Sequence, residues 1–144
     1  MEFNKEKFSS FVMDRPYLGK IEAKDLEEGE LVYHHALDKA GCGDSYELWI
    51  KTDNEKHIKD AKYITFGCGY AQATCCALIE AIKEKNVSEI FQWSEKEVCQ
   101  QIETVMGEYP IHKKAYMFFA KELLDGVCKK ALGQEDLVNN VAKN

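Results

Sequence analysis

From Ser45 to Thr52 the chain is written in period two. Tyr46, Leu48 and Ile50 alternate with Glu47, Trp49 and Lys51, Asp53-Asn54 follows as a turn, and a second run extends from His57 to Phe66. Alternation of this kind places one set of side chains on a buried sheet face and the other set outside. The Asp-Asn pair supplies the turn chemistry that joins two such runs. The reading is an antiparallel hairpin of Ser45–Thr52 and His57–Phe66, and a hairpin brings its two ends together. Gly41-Cys42-Gly43-Asp44 stands just before the first strand and Gly67-Cys68-Gly69 just after the second. Cys42 and Cys68, 26 positions apart, are therefore expected to be spatial neighbours. The flanking glycines let the backbone come close to whatever those cysteines hold.

The rest of the chain reads as helices around that hairpin. Phe3 to Met13 spaces Phe3, Phe8, Phe11 and Val12 at near-helical intervals, and Arg15-Pro16 ends the run. Lys24 to Glu30 suits an exposed connection, and Leu31 to Leu37 an edge strand. Cys68 to Lys85 has no proline, is rich in alanine and repeats apolar residues at Ala71, Cys75, Leu78, Ile79 and Ile82, which is helix periodicity. Ser94 and Glu97 form a capping box for a helix to about Met106, stopped by Gly107. Pro110 opens a longer helix from Ile111 to about Leu132. The expected class is α+β, a small antiparallel sheet of about three strands packed against a layer of helices.

Bulk properties narrow the function classes. A chain of 144 residues suits one domain, residues 1–144. A net charge of −6 with lysines scattered among acids argues against general nucleic-acid binding, which needs clustered cations to displace phosphate counterions. No apolar run approaches the roughly 18 residues of a membrane span, and residues 1–10 lack the apolar core of a secretory signal. A cytoplasmic protein is expected, and its six cysteines then read as thiols, metal ligands or sulfur carriers rather than disulfides. Two thiolates with a nearby carboxylate make a soft pair with one harder, weaker ligand, a set that suits Zn or an iron–sulfur cluster that must be released. Cys68 also opens a helix, where the partial positive charge favours its thiolate.

The cysteine-glycine-aspartate segment, the hairpin and the Gly-Cys-Gly helix start resemble the NifU/IscU family of iron–sulfur cluster scaffolds without a gap from Gly41 to about Leu78. Phe11-Val-Met-Asp-Arg-Pro-Tyr-Leu-Gly19 is similar to that family's His-Phe-x-Asn-Pro-Arg-x-x-Gly segment, and the likeness runs on to the last helix. The resemblance implies Cys42 and Cys68 as ligand cysteines and Asp44 as the aspartate that keeps the cluster labile. It also implies iron and a cluster, [2Fe–2S] first, as what is bound, with a cysteine desulfurase as sulfur donor and acceptor apoproteins as recipients. The role implied is that of a carrier, not an enzyme. The chain departs from the family where the last helix opens. The family's His-Cys pair falls on Lys114 and Ala115, and the chaperone-recruiting Leu-Pro-Pro-Val-Lys segment reads Glu108-Tyr-Pro-Ile-His112. His112 reaches the lost histidine's place only by a shift of about two residues.

Other residues carry donor atoms of the kind the missing ligand would need. Cys75 lies about 10.5 Å beyond Cys68 along the helix axis at 1.5 Å per residue, and core packing is the better reading for it and for Cys76, Cys99 and Cys128. His34 and His35 are neighbours on a strand, so they face opposite sides and at most one can approach the site. Lys114 either stabilises neighbouring thiolates or is an exposed lysine beside Lys113. Phe118 and Phe119 read as core-facing and partner-facing packing. Three functions follow: a scaffold in which two protomers together supply four thiolates on loading, a regulator that docks on a desulfurase or true scaffold and holds Zn, and a persulfide acceptor.

Overall fold

The computed structural model describes residues 2–39 and 44–133, Lys39 and Asp44 by their backbone alone. In order along the chain come α1 (Lys5–Asp14), β1 (Leu31–Lys39), β2 (Asp44–Thr52), β3 (Ile58–Thr65), α2 (Gly69–Ile82), α3 (Val87–Phe91), α4 (Glu95–Met106) and α5 (Ala115–Ala131), with short 3-10 turns at Ala23–Asp25 and Ile111–Lys113. The three strands form one antiparallel sheet in the order β1-β2-β3. The expected α+β arrangement is the one observed.

The alternation read from the sequence decides the faces. Tyr46, Leu48 and Ile50 of β2 are buried, while Glu47, Trp49 and Lys51 remain partly exposed on the other side. Against the inner face lie α5, which packs on β1 and β2, and α2, which packs on β3. The turn between β2 and β3 is built on Asp53, whose Oδ1 accepts the backbone N–H groups of Glu55 and His57. Those bonds hold the Asp53 carboxyl below its ordinary range, with Lys59 nearby adding to the effect. A register shift at Lys51 and Thr52 lets the turn close.

Helix α2 is the centre of the molecule. Ten of its fourteen residues are buried, from Ala71 to Ile82, so it is apolar on nearly every side and needs partners all round. It finds them in α1, β3, α4 and α5. Helix α1 starts at Asn4, whose side chain accepts the Lys7 N–H, and ends in a left-handed Arg15 before Pro16. The chain then runs beside β3, where Gly19 N–H donates to the Tyr63 carbonyl and Tyr63 N–H to the Tyr17 carbonyl. At the opposite side of the sheet, the Lys130 ammonium donates to the His34 carbonyl of β1 at 2.7 Å.

Two elements differ from the sequence reading. Helix α3 was not anticipated, although Asn86 caps it by accepting the Ser88 N–H and Val87 and Ile90 bury its inner face. The last helix does not start at Ile111. Pro110 is extended (ψ 142°) and leads a tight turn in which Lys113 N–H donates to its carbonyl, and the α-helical run begins at Ala115. The capping box of Ser94 and Glu97 and the stop at Gly107 (φ +77°) are as expected.

Gly126 in α5 lies against the His35 ring of β1. A Cβ built there would lie 2.1 Å from His35 Cδ2 and 2.5 Å from its Cγ. Gly126→Ala should therefore destabilise the fold by about 1–2 kcal/mol in chemical denaturation, the overpacking cost exceeding the roughly 1 kcal/mol that alanine adds to helix propensity. With His35→Ala already in place the collision is gone, and the same Gly126→Ala change should stabilise.

Candidate functional site

The site grows from the way β3 hands the chain to α2. Phe66 N–H donates to the Ser45 carbonyl at 3.2 Å, and the Thr65 hydroxyl donates to the same oxygen at 2.6 Å. Gly67 N–H in turn donates to Thr65 Oγ1 at 3.1 Å. These bonds close the open end of the hairpin and turn the backbone toward the helix. Cys68 then occupies the N-cap of α2 in extended conformation (φ −72°, ψ −176°) with its thiol exposed. Gly69 sets how closely α1 approaches, because an added Cβ would meet Phe8 at 3.2 Å and Val12 at 3.4 Å.

Of the three residues singled out from the sequence, Cys68 is described in full and Asp44 by its backbone, which opens β2 next to Ser45 at the same end of the hairpin. Cys42 lies outside the described residues, and with it the expected meeting of Cys42 and Cys68. Among the described residues no three His, Cys, Asp or Glu side chains gather as a metal site.

Three neighbours set the chemistry of Cys68. Its Sγ lies 3.0 Å from the Tyr116 hydroxyl, the backbone N–H groups of Tyr70 and Ala71 face it from the first turn of α2, and Lys113 adds a positive charge. Partial burial opposes ionisation and is the largest single effect, but the donors and the ammonium together outweigh it and hold the thiol below its ordinary range. Lys113 is held in place by the aromatic rings, its Nζ standing 5.2 Å from the centre of Tyr70 and 5.9 Å from that of Tyr116.

The start of α5 is fixed to α2 through Tyr109. That side chain is buried, its hydroxyl lies 2.6 Å from Thr74 Oγ1, and its backbone N–H donates to Glu103 Oε2. This anchor carries Lys113, Lys114, Ala115 and Tyr116 to the mouth of the site. Ala115 presents an exposed methyl group, which donates to nothing. Lys114 turns to Glu108 at 3.7 Å, and its charge partly offsets the rise at Cys99. The ammonium beside Cys68 is that of Lys113. The sequence reading names neither Lys113 nor Tyr116 as a site residue, because their nearness to Cys68 arises from the packing of α5 on α2 and no local pattern announces it.

The other candidates are structural. Cys75 and Cys76 are buried in α2 and Cys128 in α5, and burial pushes their thiols up, to about 11 for Cys76 and about 12 for Cys128. Half-buried Cys99 is raised for the same reason, with Glu95 and Glu103 adding to it. His34 stacks on Trp49 and lies 2.9 Å from Glu47, and His35 packs on Gly126 eleven residues down α5 from Ala115. His112 is exposed in the turn before α5. Phe119 packs against Tyr46 and Tyr116, whereas Phe118 remains 42% exposed.

A three-stranded antiparallel sheet backed by helices, with a cysteine at the cap of its central helix, is the arrangement in hand. The chain matches the model of the NifU-like N terminal domain over residues 9–132 and belongs to that family. It is 30% identical over 86 residues to the iron–sulfur cluster assembly scaffold protein IscU of Haemophilus influenzae, covering 60% of this chain and 65% of that protein. It is 41% identical over 61 residues to iron sulfur cluster assembly protein 1 of Trachipleistophora hominis, covering 42% of this chain and 44% of that one. The matched stretch thus spans less than two thirds of these curated relatives. In fold it is similar to a Fervidobacterium islandicum protein described as an iron–sulfur cluster assembly scaffold for the SUF system, with a TM-score of 0.50 and 22% identity over 88% of this chain and 91% of that one.

The depressed Cys68 thiol has a direct readout. Alkylation by iodoacetamide, mapped by mass spectrometry from pH 6 to 9, should label Cys68 with a midpoint below the roughly 8.5 of a free cysteine, and Tyr116→Phe should move that midpoint upward. Cys75, Cys76 and Cys128 should stay unlabelled in the folded protein. A Cys68 midpoint at or above that of free cysteine contradicts the assignment.

Proposed function

We propose that this protein is an iron–sulfur cluster assembly scaffold that takes iron and sulfide as cargo through Cys42, Asp44 and Cys68 and passes a labile cluster on. The observation that carries this reading is Cys68, an exposed, acidified thiol at the cap of the central helix of a NifU-like domain, beside the strand end that Asp44 opens. Names of the relatives support the same role. Thiolates bind iron tightly, and a carboxylate in the set is a harder, weaker ligand that eases release.

Within this reading residues 1–144 act as one domain, sulfur arrives from a cysteine desulfurase, and the products are acceptor apoproteins bearing a cluster. The protein carries and does not turn over a substrate. A [2Fe–2S] cluster is the simplest cargo, and two protomers that each give Cys42 and Cys68 would supply the four thiolates such a cluster prefers.

A second reading is favoured by the start of α5, where Ala115 offers only a methyl group and the Lys114 ammonium pairs with Glu108. A chain short of ligands suits a regulator that docks on a desulfurase or on another scaffold, holding Zn at Cys42, Asp44 and Cys68.

Anaerobic reconstitution with ferrous iron and sulfide separates the two. The wild type should bind iron and acid-labile sulfide and develop sulfide-dependent charge-transfer bands. Cys42→Ala and Cys68→Ala should lose most of that absorbance, Cys75→Ala should keep it, and Asp44→Ala should slow cluster loss to a chelator. Uptake of Zn alone, with no sulfide-dependent band, sinks the scaffold reading and favours the regulator.

A further inference from the structure

The geometry points to Tyr116 as an oxygen ligand that acts with Cys68 on a single metal ion, in place of the side-chain donors that Lys114 and Ala115 do not provide. The inference deepens the scaffold reading and rests on it for the identity of the cargo metal.

Its basis is a pair of atoms. Tyr116 Oη and Cys68 Sγ are 3.0 Å apart although the residues are 48 positions apart in sequence and sit on different helices. A tetrahedral metal with bonds of about 2.3 Å to a thiolate and about 2.0 Å to oxygen would hold its two donors about 3.5 Å apart. The pair therefore needs to open by only about half an ångström, within reach of a small rotation of either side chain. Phenolate is an established oxygen ligand of protein-bound iron. Binding releases the phenol proton and the thiol proton to solvent, and the two anionic donors so formed balance the charge of a divalent ion.

The position of Tyr116 is set by packing rather than by the hydrogen bond alone. Its ring stacks on Tyr70 with centroids 6.2 Å apart and meets Phe119 edge-on at 6.1 Å. Tyr70 in turn packs on Phe3, Phe8 and Tyr109, which ties the phenol to α1 and to the anchor of α5. A side chain held this way presents its oxygen at little conformational cost. Ala115, its neighbour, offers no competing donor.

Cobalt(II) added alone to the full chain, without sulfide, tests the assignment independently of cluster assembly. Thiolate-to-cobalt charge transfer reports the cysteine ligands together, its drop in Cys68→Ala gives the share that Cys68 carries, and the ultraviolet difference spectrum of tyrosinate, set against that of Tyr116→Phe, reports Tyr116. The wild type should show both. Tyr116→Phe, which keeps the ring and its packing, should lose the tyrosinate signal, keep the thiolate band and bind cobalt about tenfold more weakly, a loss of the size seen when metal-site partners are removed. Circular dichroism on the same samples verifies that the variant is folded. A wild type with a thiolate band but no tyrosinate signal, a Tyr116→Phe protein with unchanged affinity and spectrum, or a wild type that binds no cobalt overturns the proposal. The scaffold reading fails separately, on absence of sulfide-dependent bands with iron.

Discussion

The register between β2 and β3 is the constraint on which the rest depends. Ser45 faces the end of β3 because Trp49 faces Lys62 and Leu48 faces Tyr63, and a slip of one residue would turn Tyr46, Leu48 and Ile50 out of the core. That apolar penalty locks the open end of the hairpin in place. The Ser45 carbonyl, taking both the Phe66 N–H and the Thr65 hydroxyl, then fixes where the strand gives way to α2. The position of Cys68 is thus determined by burial several residues away from it, and the site inherits its precision from the core.

Chemistry at the mouth of the site comes from two directions. Helix α2 supplies the thiol and the N–H groups of its first turn, and α5 supplies a hydroxyl and an ammonium through Tyr116 and Lys113. Tyr109 joins the two, since its buried hydroxyl meets Thr74 of α2 while its backbone leads into the turn that precedes α5. The two positions to which the resemblance assigns a His-Cys pair, Lys114 and Ala115, bring the thiol no donor, and the side chains of α5 that act on it are Lys113 and Tyr116 immediately beside them.

Much of the fold could be read from the chain because its local signals agree with its packing. The alternation in β2, the Asp53 turn, the all-apolar α2 and the Ser94–Glu97 box each state one answer, and the burial of Leu48, Ile79 and Val98 agrees with all of them. Helix α3 escaped notice because five residues are too few for periodicity to show, although Asn86 was a legible cap. Pro110 caps a 3-10 turn over Ile111–Lys113 rather than the α-helix itself, and α5 begins after that turn at Ala115. Cys68 could be found from its place after a strand and before a helix. Tyr116 could not, because its nearness to Cys68 exists only once α2 and α5 are packed, and nothing within α5 distinguishes that phenol from one facing water.

Each margin of the sheet carries a polar contact from a neighbouring segment. Along β3 the segment from Tyr17 to Gly19 exchanges backbone hydrogen bonds with Tyr63, and along β1 the Lys130 ammonium claims the His34 carbonyl. An unpaired strand margin is a template on which a second chain can add, and charge placed against it is a common deterrent. Additions at the sheet margins are thereby discouraged beside Tyr63 and His34, while Cys68 keeps its thiol exposed at the far end of the hairpin from the Asp53 turn.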